Sequence, residues 1–332
     1  MLEHGGKLLE AAKNYKIPLD QWMDLSTGIN PQGFPVTAID PEDWARLPQD
    51  NDGLMQAAQT YYGARDVLPV AGSQAAISAL PRLRSQGSRI AILQPAYAEH
   101  KHAWREGGFA VTDFAASDIN AAVDQHDVVV LINPNNPTGA RFGMDECLDW
   151  HRTLQKREGW LIVDEAFMDT TPEQSLVRVA DRPGLIVLRS LGKFFGLAGA
   201  RVGFVFSHPI FLEFLGDLLG PWTISGPSRA IARHALTDHY WQQKMRLQLG
   251  VNGQRLKNLL MQYDLTPSGG TDLFQWVQSS KADLIHETLA RQAIWTRLFE
   301  EPTAMRFGLP GSEAHWRQLE QALQDLQAGV QL

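Results

Sequence analysis

Short apolar runs bounded by polar residues are the clearest pattern along this chain. The run at 127–132 is rich in β-branched side chains, and shorter runs occupy 89–93, 160–163 and 185–188. Continuously apolar strands are typical of a parallel sheet, because both of its faces are covered. Their alternation with loops and helices between about residues 66 and 206 predicts an α/β fold, in which helices cover a mostly parallel sheet.

Amphipathic patterns complete the predicted secondary structure. Helices are predicted at 8–15, 53–62, 73–80, 144–156 and 312–327, and one long helix from 228 into the 250s. Further extended segments are predicted at 67–70, 272–277, 294–297 and 304–309. Pro227 is expected at the first position of the long helix. For a length of 332 residues we predict a large domain over 39–224 and a smaller α+β domain formed by 1–38 and 225–332.

Composition excludes several classes of protein. The content of 44% apolar and 20% charged residues is typical of a soluble protein, and the net charge of −7 argues against a nucleic-acid partner. The single cysteine, Cys147, excludes an internal disulfide framework and suits a reducing compartment. No apolar run has the length of a signal peptide or of a membrane span. We therefore expect a cytoplasmic protein with neither a nucleic-acid nor a membrane partner.

One lysine stands in an unusual sequence context. Lys193 lies in an apolar, glycine-rich stretch, with Ser190 three residues before it and Arg201 eight residues after it. Loss of water and nearby positive charge both lower the pKa of a lysine, which prepares its amine to form a Schiff base with an aldehyde. If the aldehyde belongs to pyridoxal 5′-phosphate (PLP), Ser190 and Arg201 provide the hydroxyl and guanidinium that suit its phosphate.

Polar or aromatic residues follow several predicted strands. Gly72 and Ser73 open a helix whose free amides, including that of Gln74, suit a phosphate, although helix capping by Ser73 explains the same pattern. Tyr97 stands where an aromatic ring can stack on a flat ligand, with ordinary packing as the alternative. Asn136 lies in a turn made rigid by two prolines. Because parallel strands end at one edge of a sheet, we expect these side chains to converge there.

Two acids, Asp164 and Glu165, end the predicted strand at 160–163. Acids in this position suit metal ligation, general acid–base chemistry, or pairing of a carboxylate with a pyridinium nitrogen. Metal ligation is the weaker interpretation, since no cluster of His or Cys accompanies Asp164. We predict no metal site.

Residues outside the predicted sheet are candidates for binding an anionic substrate. The N-terminal loop carries exposed amides and charge, which can hold an anion. Near the C-terminus two arginines alternate with apolar residues, so one of them can reach a cleft and bind a carboxylate or phosphate bidentately, with surface salt bridges as the alternative. The candidate substrate-binding residues are His4, Gly5, Gly6, Lys7, Asn30, Arg297 and Arg306.

The ordered set of these motifs resembles the fold-type I PLP enzymes, and most of all their histidinol-phosphate aminotransferase-like branch. The resemblance covers nearly the whole chain. It implies that Lys193 links covalently to PLP, that Asp164 pairs with the pyridine nitrogen and that Tyr97 stacks on the ring. It also implies that Asn136 bonds the ring's O3′ and that Arg306 binds the substrate carboxylate. The implied phosphate ligands are Ser190, Arg201, and the Ser73 and Gln74 amides that follow Gly72.

The opening HGGK, followed by DLSTGINPQGFP, resembles the threonine-phosphate decarboxylase family of cobalamin biosynthesis. That family converts L-threonine O-3-phosphate to (R)-1-amino-2-propanol O-2-phosphate and CO2, so the resemblance implies a PLP-dependent carboxy-lyase. Three positions depart from the related patterns. Lys7 replaces an asparagine, Phe167 replaces a tyrosine that bonds O3′, and Leu47 replaces a tyrosine that reaches the partner subunit's phosphate.

Two other functions remain open at this stage. One is a PLP-dependent aminotransferase acting on histidinol phosphate or a related phosphorylated amine, and the other is a PLP-binding protein without catalysis. The resemblance also implies a homodimer and a small phosphorylated amino acid as substrate.

Overall fold

The computed structural model describes residues 5–36 and 38–329. The described residues divide into two compact units, one lying within 33–136 and 141–243, the other within 1–32, 137–140 and 244–332. The domain limits predicted from the sequence, at 38/39 and 224/225, stay a prediction. Of the candidate site residues, His4 lies outside the described part of the chain.

The helices and strands are numbered in chain order. The helices are α1 Leu8–Tyr15, α2 Pro41–Ala45, α3 Leu54–Tyr62, α4 Ser73–Ala79, α5 Ala98–Glu106, α6 Ile119–Gln125, α7 Met144–Gln155, α8 Pro209–Leu219, α9 Gly226–Thr237, α10 His239–Gln262, α11 Ala282–Ala290 and α12 Glu313–Gly329. The strands are β1 Met23–Asp24, β2 Leu68–Val70, β3 Ile90–Leu93, β4 Val111–Phe114, β5 Val128–Ile132, β6 Trp160–Asp164, β7 Leu185–Ser190, β8 Gly203–Phe206, β9 Gly269–Thr271, β10 Phe274–Gln278, β11 Ile294–Trp295, β12 Arg297–Phe299 and β13 Ala304–Gly308.

A seven-stranded sheet forms the centre of the first unit. Its strand order is β2-β8-β7-β6-β5-β3-β4, and the pairs from β7 to β4 are parallel. Strand β8 runs antiparallel to both β7 and β2. Residues of β3 and β5 are buried throughout, as their continuous apolar sequences require when helices cover both faces. The predicted mostly parallel α/β sheet is confirmed.

The strand directions bring several loops to one edge of this sheet. Strands β3, β5, β6 and β7 are parallel, so their C-terminal ends share that edge. Strand β2 points the same way because β8 reverses direction between it and β7. The loops after these strands, and the segment that leads into β8, therefore meet on the same side.

The second unit contains a four-stranded antiparallel sheet, β12-β13-β10-β9, and a short parallel pair, β1 with β11. Its N-terminal helix is fixed by an aromatic cluster, in which Tyr15 lies edge-on to Trp22 and Trp295 at 5.7 and 6.3 Å between ring centroids. The Tyr15 hydroxyl donates a hydrogen bond to Glu287 on α11. These contacts pack α1 against the C-terminal part of the same unit.

Two predicted elements are interrupted in the structure. The single long helix predicted from 228 into the 250s is wrong, because α9 ends at Thr237 and α10 begins at His239. Asp238 has non-helical dihedral angles, and its side chain accepts a hydrogen bond from Trp241 N at 2.9 Å, which caps the second helix. Pro227 is the second residue of α9, after Gly226, and not the first.

The extended segment predicted at 294–297 is two strands. Ile294–Trp295 pairs with β1, whereas Arg297–Phe299 pairs with β13. Thr296, between them, is buried, and its hydroxyl lies 2.7 Å from His286 Nδ1. At Thr296 the chain stops pairing with β1 and starts pairing with β13. A pattern of alternating side chains does not reveal this change of partner strand.

Among the described residues, no helix combines the length and the apolar character that crossing a membrane requires.

Candidate active site

A cavity of about 120 Å³ lies at the edge where the parallel strands end. Eight of the side chains predicted from the sequence line it together, and Phe167 joins them. The predicted residues are Ser73, Gln74, Tyr97, Asn136, Asp164, Ser190, Lys193 and Arg201. These residues are far apart in the sequence, and the parallel strands bring them together within one unit.

Lys193 is half-buried in the loop that leaves β7. Its Nζ lies 5.3 Å from the centroid of the Phe167 ring, which is itself buried. Main-chain hydrogen bonds fix the loop, since Gly196 N donates to Lys193 O and Leu197 N donates to Leu191 O, both at 3.1 Å. The amine therefore lies near an aromatic ring, on a residue that lines the cavity.

Asp164 is the last residue of β6, and only 3% of it is exposed. Its Oδ1 accepts a hydrogen bond from Ala166 N at 3.0 Å. Its Oδ2 lies 3.0 Å from Nε2 of His100, which is fully buried on α5. An ionised carboxylate can only accept hydrogen bonds, so this contact places the imidazole proton on Nε2. Two donors thus fix the plane of the carboxylate.

Sequence reasoning did not identify His100. Its partner is 64 residues away along the chain, so no local motif contains both residues. A weaker signal exists, because His100 and Trp104 share the buried face of α5 at a helical spacing of four residues. A polar residue on an apolar helix face needs a buried partner.

An anion cradle lies where β2 meets α4. Gly72 has φ +72°, and a Cβ placed on it would lie 2.7 Å from Arg201 Nη2. Only glycine therefore lets the guanidinium approach the helix N-terminus this closely. Gly203 is equally constrained, because its Cβ would lie 2.5 Å from Ser73 N. Arg201 Nη1 also donates to Ala198 O at 3.1 Å, which fixes the side chain.

Behind the cavity, a buried charge network joins the ends of β6 and β7. Arg189 Nη1 donates to Glu165 at 2.9 Å, and Nη2 donates to Asp169. Glu165 also accepts from Ser175 Oγ at 2.5 Å and from Leu176 N at 2.8 Å. Burial raises the pKa of Glu165, while Arg189 opposes the increase. These side chains adjoin Asp164 and Ser190 in sequence, so the network stabilises the strand ends that carry the site.

The residues of this cavity fit PLP. The glycine-lined cradle with Arg201 and the first amides of α4 suits a phosphate. A buried carboxylate, Asp164, and a half-buried amine, Lys193, line the same space and suit a pyridine nitrogen and an aldehyde. Phe167 cannot donate the hydrogen bond that a tyrosine would provide.

The second unit holds the described substrate candidates. The N-terminal loop is docked on Ser26, because Gly6 N donates to Ser26 Oγ at 2.8 Å. The Ser26 carbonyl in turn accepts a hydrogen bond from Arg306 Nη2 at 2.6 Å. Asn30 is buried, and its Oδ1 accepts from Gln32 N at 2.9 Å. Gly6 and Arg306 therefore contact the same residue within this unit.

A separate cavity of about 240 Å³ lies within the second unit. Gly5, Lys7 and Arg297 line it, together with His286 and Thr296. Lys7 is 43% exposed and lies 3.9 Å from Glu10. This cavity is polar, and it collects three of the predicted substrate residues.

Arg297 and Arg306 are direct partners across the antiparallel strands β12 and β13. Like charges opposite each other in a sheet repel, and Arg306 is buried. Burial, followed by repulsion from Arg297, lowers the pKa of Arg306 to about 10, against the opposing effect of Asp24. A pair of guanidinium groups in this arrangement favours an anionic ligand.

The fold and the cavity that contains Lys193 point to one protein family, and a sequence comparison identifies it. The chain belongs to the aminotransferase class I and II family, whose model matches residues 41–321. A histidinol-phosphate aminotransferase from Sinorhizobium meliloti, solved in complex with pyridoxal-5′-phosphate, has the same fold. The TM-score is 0.81 at 18% identity, with 98% of this chain and 99% of that chain covered.

Within this family, two curated relatives are similar over nearly their full length. A threonine-phosphate decarboxylase of Pseudomonas aeruginosa is 52% identical, with 97% of each chain covered. Another, from a Sinorhizobium species, is 38% identical, with 96% of this chain and 97% of that chain covered.

Proposed function

We propose that this protein is a PLP-dependent decarboxylase that converts L-threonine O-3-phosphate to (R)-1-amino-2-propanol O-2-phosphate and CO2, a step of cobalamin biosynthesis. The observation that carries the proposal is the 52% identity, over 97% of both chains, with a threonine-phosphate decarboxylase. The cavity supports it, because the polar groups that PLP needs line one space.

Each cavity residue has a defined task in this proposal. Lys193 anchors the cofactor, Asp164 pairs with the ring nitrogen, and Asn136 bonds O3′. Bound PLP supplies an electron sink for a carbanion at the substrate's Cα. His100 keeps the Asp164 carboxylate oriented, and Tyr97 stacks on the ring. The phosphate is bound by Ser190, Arg201 and the amides that follow Gly72, those of Ser73 and Gln74.

The choice of reaction depends on how the substrate is oriented. The bond that breaks at Cα is the one held perpendicular to the ring, because only that bond overlaps the π system. A decarboxylase must hold the carboxylate in that position, whereas an aminotransferase must hold the Cα proton there. Two separate anion-binding groups in the protein, one for each end of a short substrate, are sufficient to fix that orientation.

We assign these two groups to the second unit. Arg306 binds the carboxylate of the substrate, and its buried guanidinium is already fixed by the Ser26 carbonyl. Lys7 and Arg297 provide the positive charge for the substrate phosphate, in a cavity that Gly5, Glu10 and Glu300 also line. His4, Gly6 and Asn30 remain candidates for the same ligand. A proton must replace the carboxylate at Cα, and we assign its delivery to the amine of Lys193, which lines the cavity at the sheet edge.

The test is the release of CO2 from L-threonine O-3-phosphate by the purified PLP-loaded protein, without a keto acid. We expect stoichiometric CO2 and aminopropanol phosphate, and no reaction with unphosphorylated L-threonine. Formation of glutamate, with turnover only when 2-oxoglutarate is present, would instead identify an aminotransferase. A preparation that takes up PLP but turns over neither substrate would identify a non-catalytic binding protein.

We also propose a homodimer. Large apolar side chains are exposed on the first unit, with Trp44 72%, Leu47 63% and Trp222 60% exposed. Burial of such side chains between subunits is favourable. Mass measurement in solution should give twice the chain mass of 37.0 kDa; a species of single chain mass at micromolar concentration contradicts the proposal.

A further inference from the structure

A chain of hydrogen bonds links three side chains at the cofactor cavity. The Tyr97 hydroxyl donates to Gln74 Oε1 at 3.2 Å. Gln74 Nε2 donates to Glu99 Oε2 at 2.8 Å. Tyr97 and Gln74 line the cavity, whereas Glu99 does not. Glu99 is therefore placed to act on the cavity through Gln74 and Tyr97.

The chemistry of these side chains fixes the donor and the acceptor in each of the two hydrogen bonds. An ionised carboxylate can only accept hydrogen bonds, so the group of Gln74 that faces Glu99 must be its NH2. The opposite end of the same amide, which faces Tyr97, is then the carbonyl oxygen. A carbonyl cannot donate, and Tyr97 must therefore provide the proton of their shared hydrogen bond.

We propose that Gln74 and Glu99 are positioning residues that hold the Tyr97 hydroxyl proton in its hydrogen bond to Gln74. Tyr97 consequently stacks on the cofactor ring and does not protonate the substrate. Decarboxylation releases CO2 and leaves the electron pair of the broken bond at Cα, where it must bond a proton. That proton therefore comes from a group other than Tyr97. This inference rests on the proposed function, and it removes Tyr97 from the candidates for the acid.

The positions of the three residues support this assignment. Gln74 and Glu99 are the second residues of α4 and α5, and Tyr97 precedes the first residue of α5. The two helices pack against each other, so their first turns form a rigid frame. Gln74 Nε2 also lies 3.5 Å from Ser78 Oγ, too far to compete with the carboxylate.

The charges around Tyr97 oppose its ionisation. Burial raises the pKa of Tyr97 to about 12, with Glu99 and Asp164 acting in the same direction and Arg201 against them. His100 and Lys193 are further titratable neighbours: the His100 ring lies edge-on at 6.3 Å from the tyrosine ring, and Lys193 lines the same cavity. Tyr97 therefore keeps its proton at neutral pH, as a donor to Gln74 must.

The test is a double-mutant cycle in the PLP-loaded protein. Glu99→Gln removes the charge but keeps the shape, while Gln74→Met removes the amide link and leaves the charge of Glu99. We expect each variant to lower kcat about tenfold, the size of one hydrogen bond to a charged group. The double variant should lose no more than either single variant, because both break the same chain. Ser78→Ala, the matched control, should leave kcat within about twofold.

A second measurement does not depend on turnover. Ultraviolet difference titration, with Tyr97→Phe to assign the signal, gives the titration midpoint of Tyr97. Glu99→Gln should lower that midpoint by about one pH unit, because a nearby negative charge is removed. Multiplicative losses in the double variant, or an unchanged midpoint, would overturn the inference. A wild-type protein that releases no CO2 would refute the proposed function instead, and the titration would still decide on the positioning role.

Discussion

The two cavities of this protein are built in different ways. In the cavity at the sheet edge, the charged side chains are fixed by further buried groups, as Asp164 is by His100 at 3.0 Å. In the cavity of the second unit, Lys7 comes from a loop and is 43% exposed. The first cavity is therefore preorganised by the fold, whereas the second depends on charges that solvent partly screens. We expect substitutions in the first to lower kcat and substitutions in the second to raise KM.

Lys193→Ala should have the largest effect. Without the amine the protein cannot link covalently to PLP, so the visible absorbance of the bound cofactor should disappear. Turnover should fall more than about a thousandfold. Spectroscopy and a CO2 assay on the same preparation provide the measurement. Lys101→Ala removes a surface lysine that pairs with Asp113 and is the control; colour retained in Lys193→Ala would refute the anchoring role.

Asp164→Asn should have the next largest effect. The amide keeps the size of the side chain but no longer stabilises a protonated ring nitrogen, so the electron sink weakens. We expect kcat to fall about a hundredfold or more while the protein still binds PLP. Asp113→Asn, at an exposed carboxylate, is the matched control. If Asp164→Asn kept kcat within a factor of about three, pairing with the ring would not be the role of this residue.

Arg306→Lys sharpens the comparison, because it changes a buried member of the second unit. Lysine keeps the charge but loses the planar fork that binds a carboxylate through two hydrogen bonds. We expect KM for L-threonine O-3-phosphate to rise about tenfold or more, with no loss of bound PLP. Steady-state kinetics give the result. Equal KM values for wild type and variant would exclude Arg306 as the carboxylate ligand.

Lys7→Asn should have the smallest effect. A half-exposed charge contributes little at physiological salt, so KM should rise only about threefold, with kcat unchanged. The difference should shrink as salt is added. Lys13→Asn, on the following helix α1 but outside the cavity lining, controls for net charge. A KM that does not change at low salt would remove Lys7 from the phosphate site.

Much of the fold was predictable because local sequence determines it. Continuous apolar runs identified β3, β5, β6 and β7, and the loops after them carry the residues that line the first cavity. The polar edge strand β4 was not predicted, since only Phe114 among its residues is buried. The break between α9 and α10 depends on one side chain, Asp238, whose capping role is visible only once the helix ends are known.

The supporting groups of the site were not predictable in the same way. The contact between His100 and Asp164 joins different elements, as does the pairing of Arg189 with Glu165 and Asp169. Such contacts arise from tertiary packing and leave no spacing in the sequence. Motifs therefore identified residues that line the cavity at the sheet edge, while the groups that hold them in place required the structure.

The most direct test of the central claim is chemical mapping of the cofactor. The PLP-loaded protein is reduced with borohydride, digested, and its peptides are analysed by mass spectrometry. The account predicts a pyridoxyl-phosphate adduct on Lys193, and its loss when L-threonine O-3-phosphate is added before reduction. An adduct on a different lysine, or none at all in a protein that decarboxylates the substrate, would contradict it.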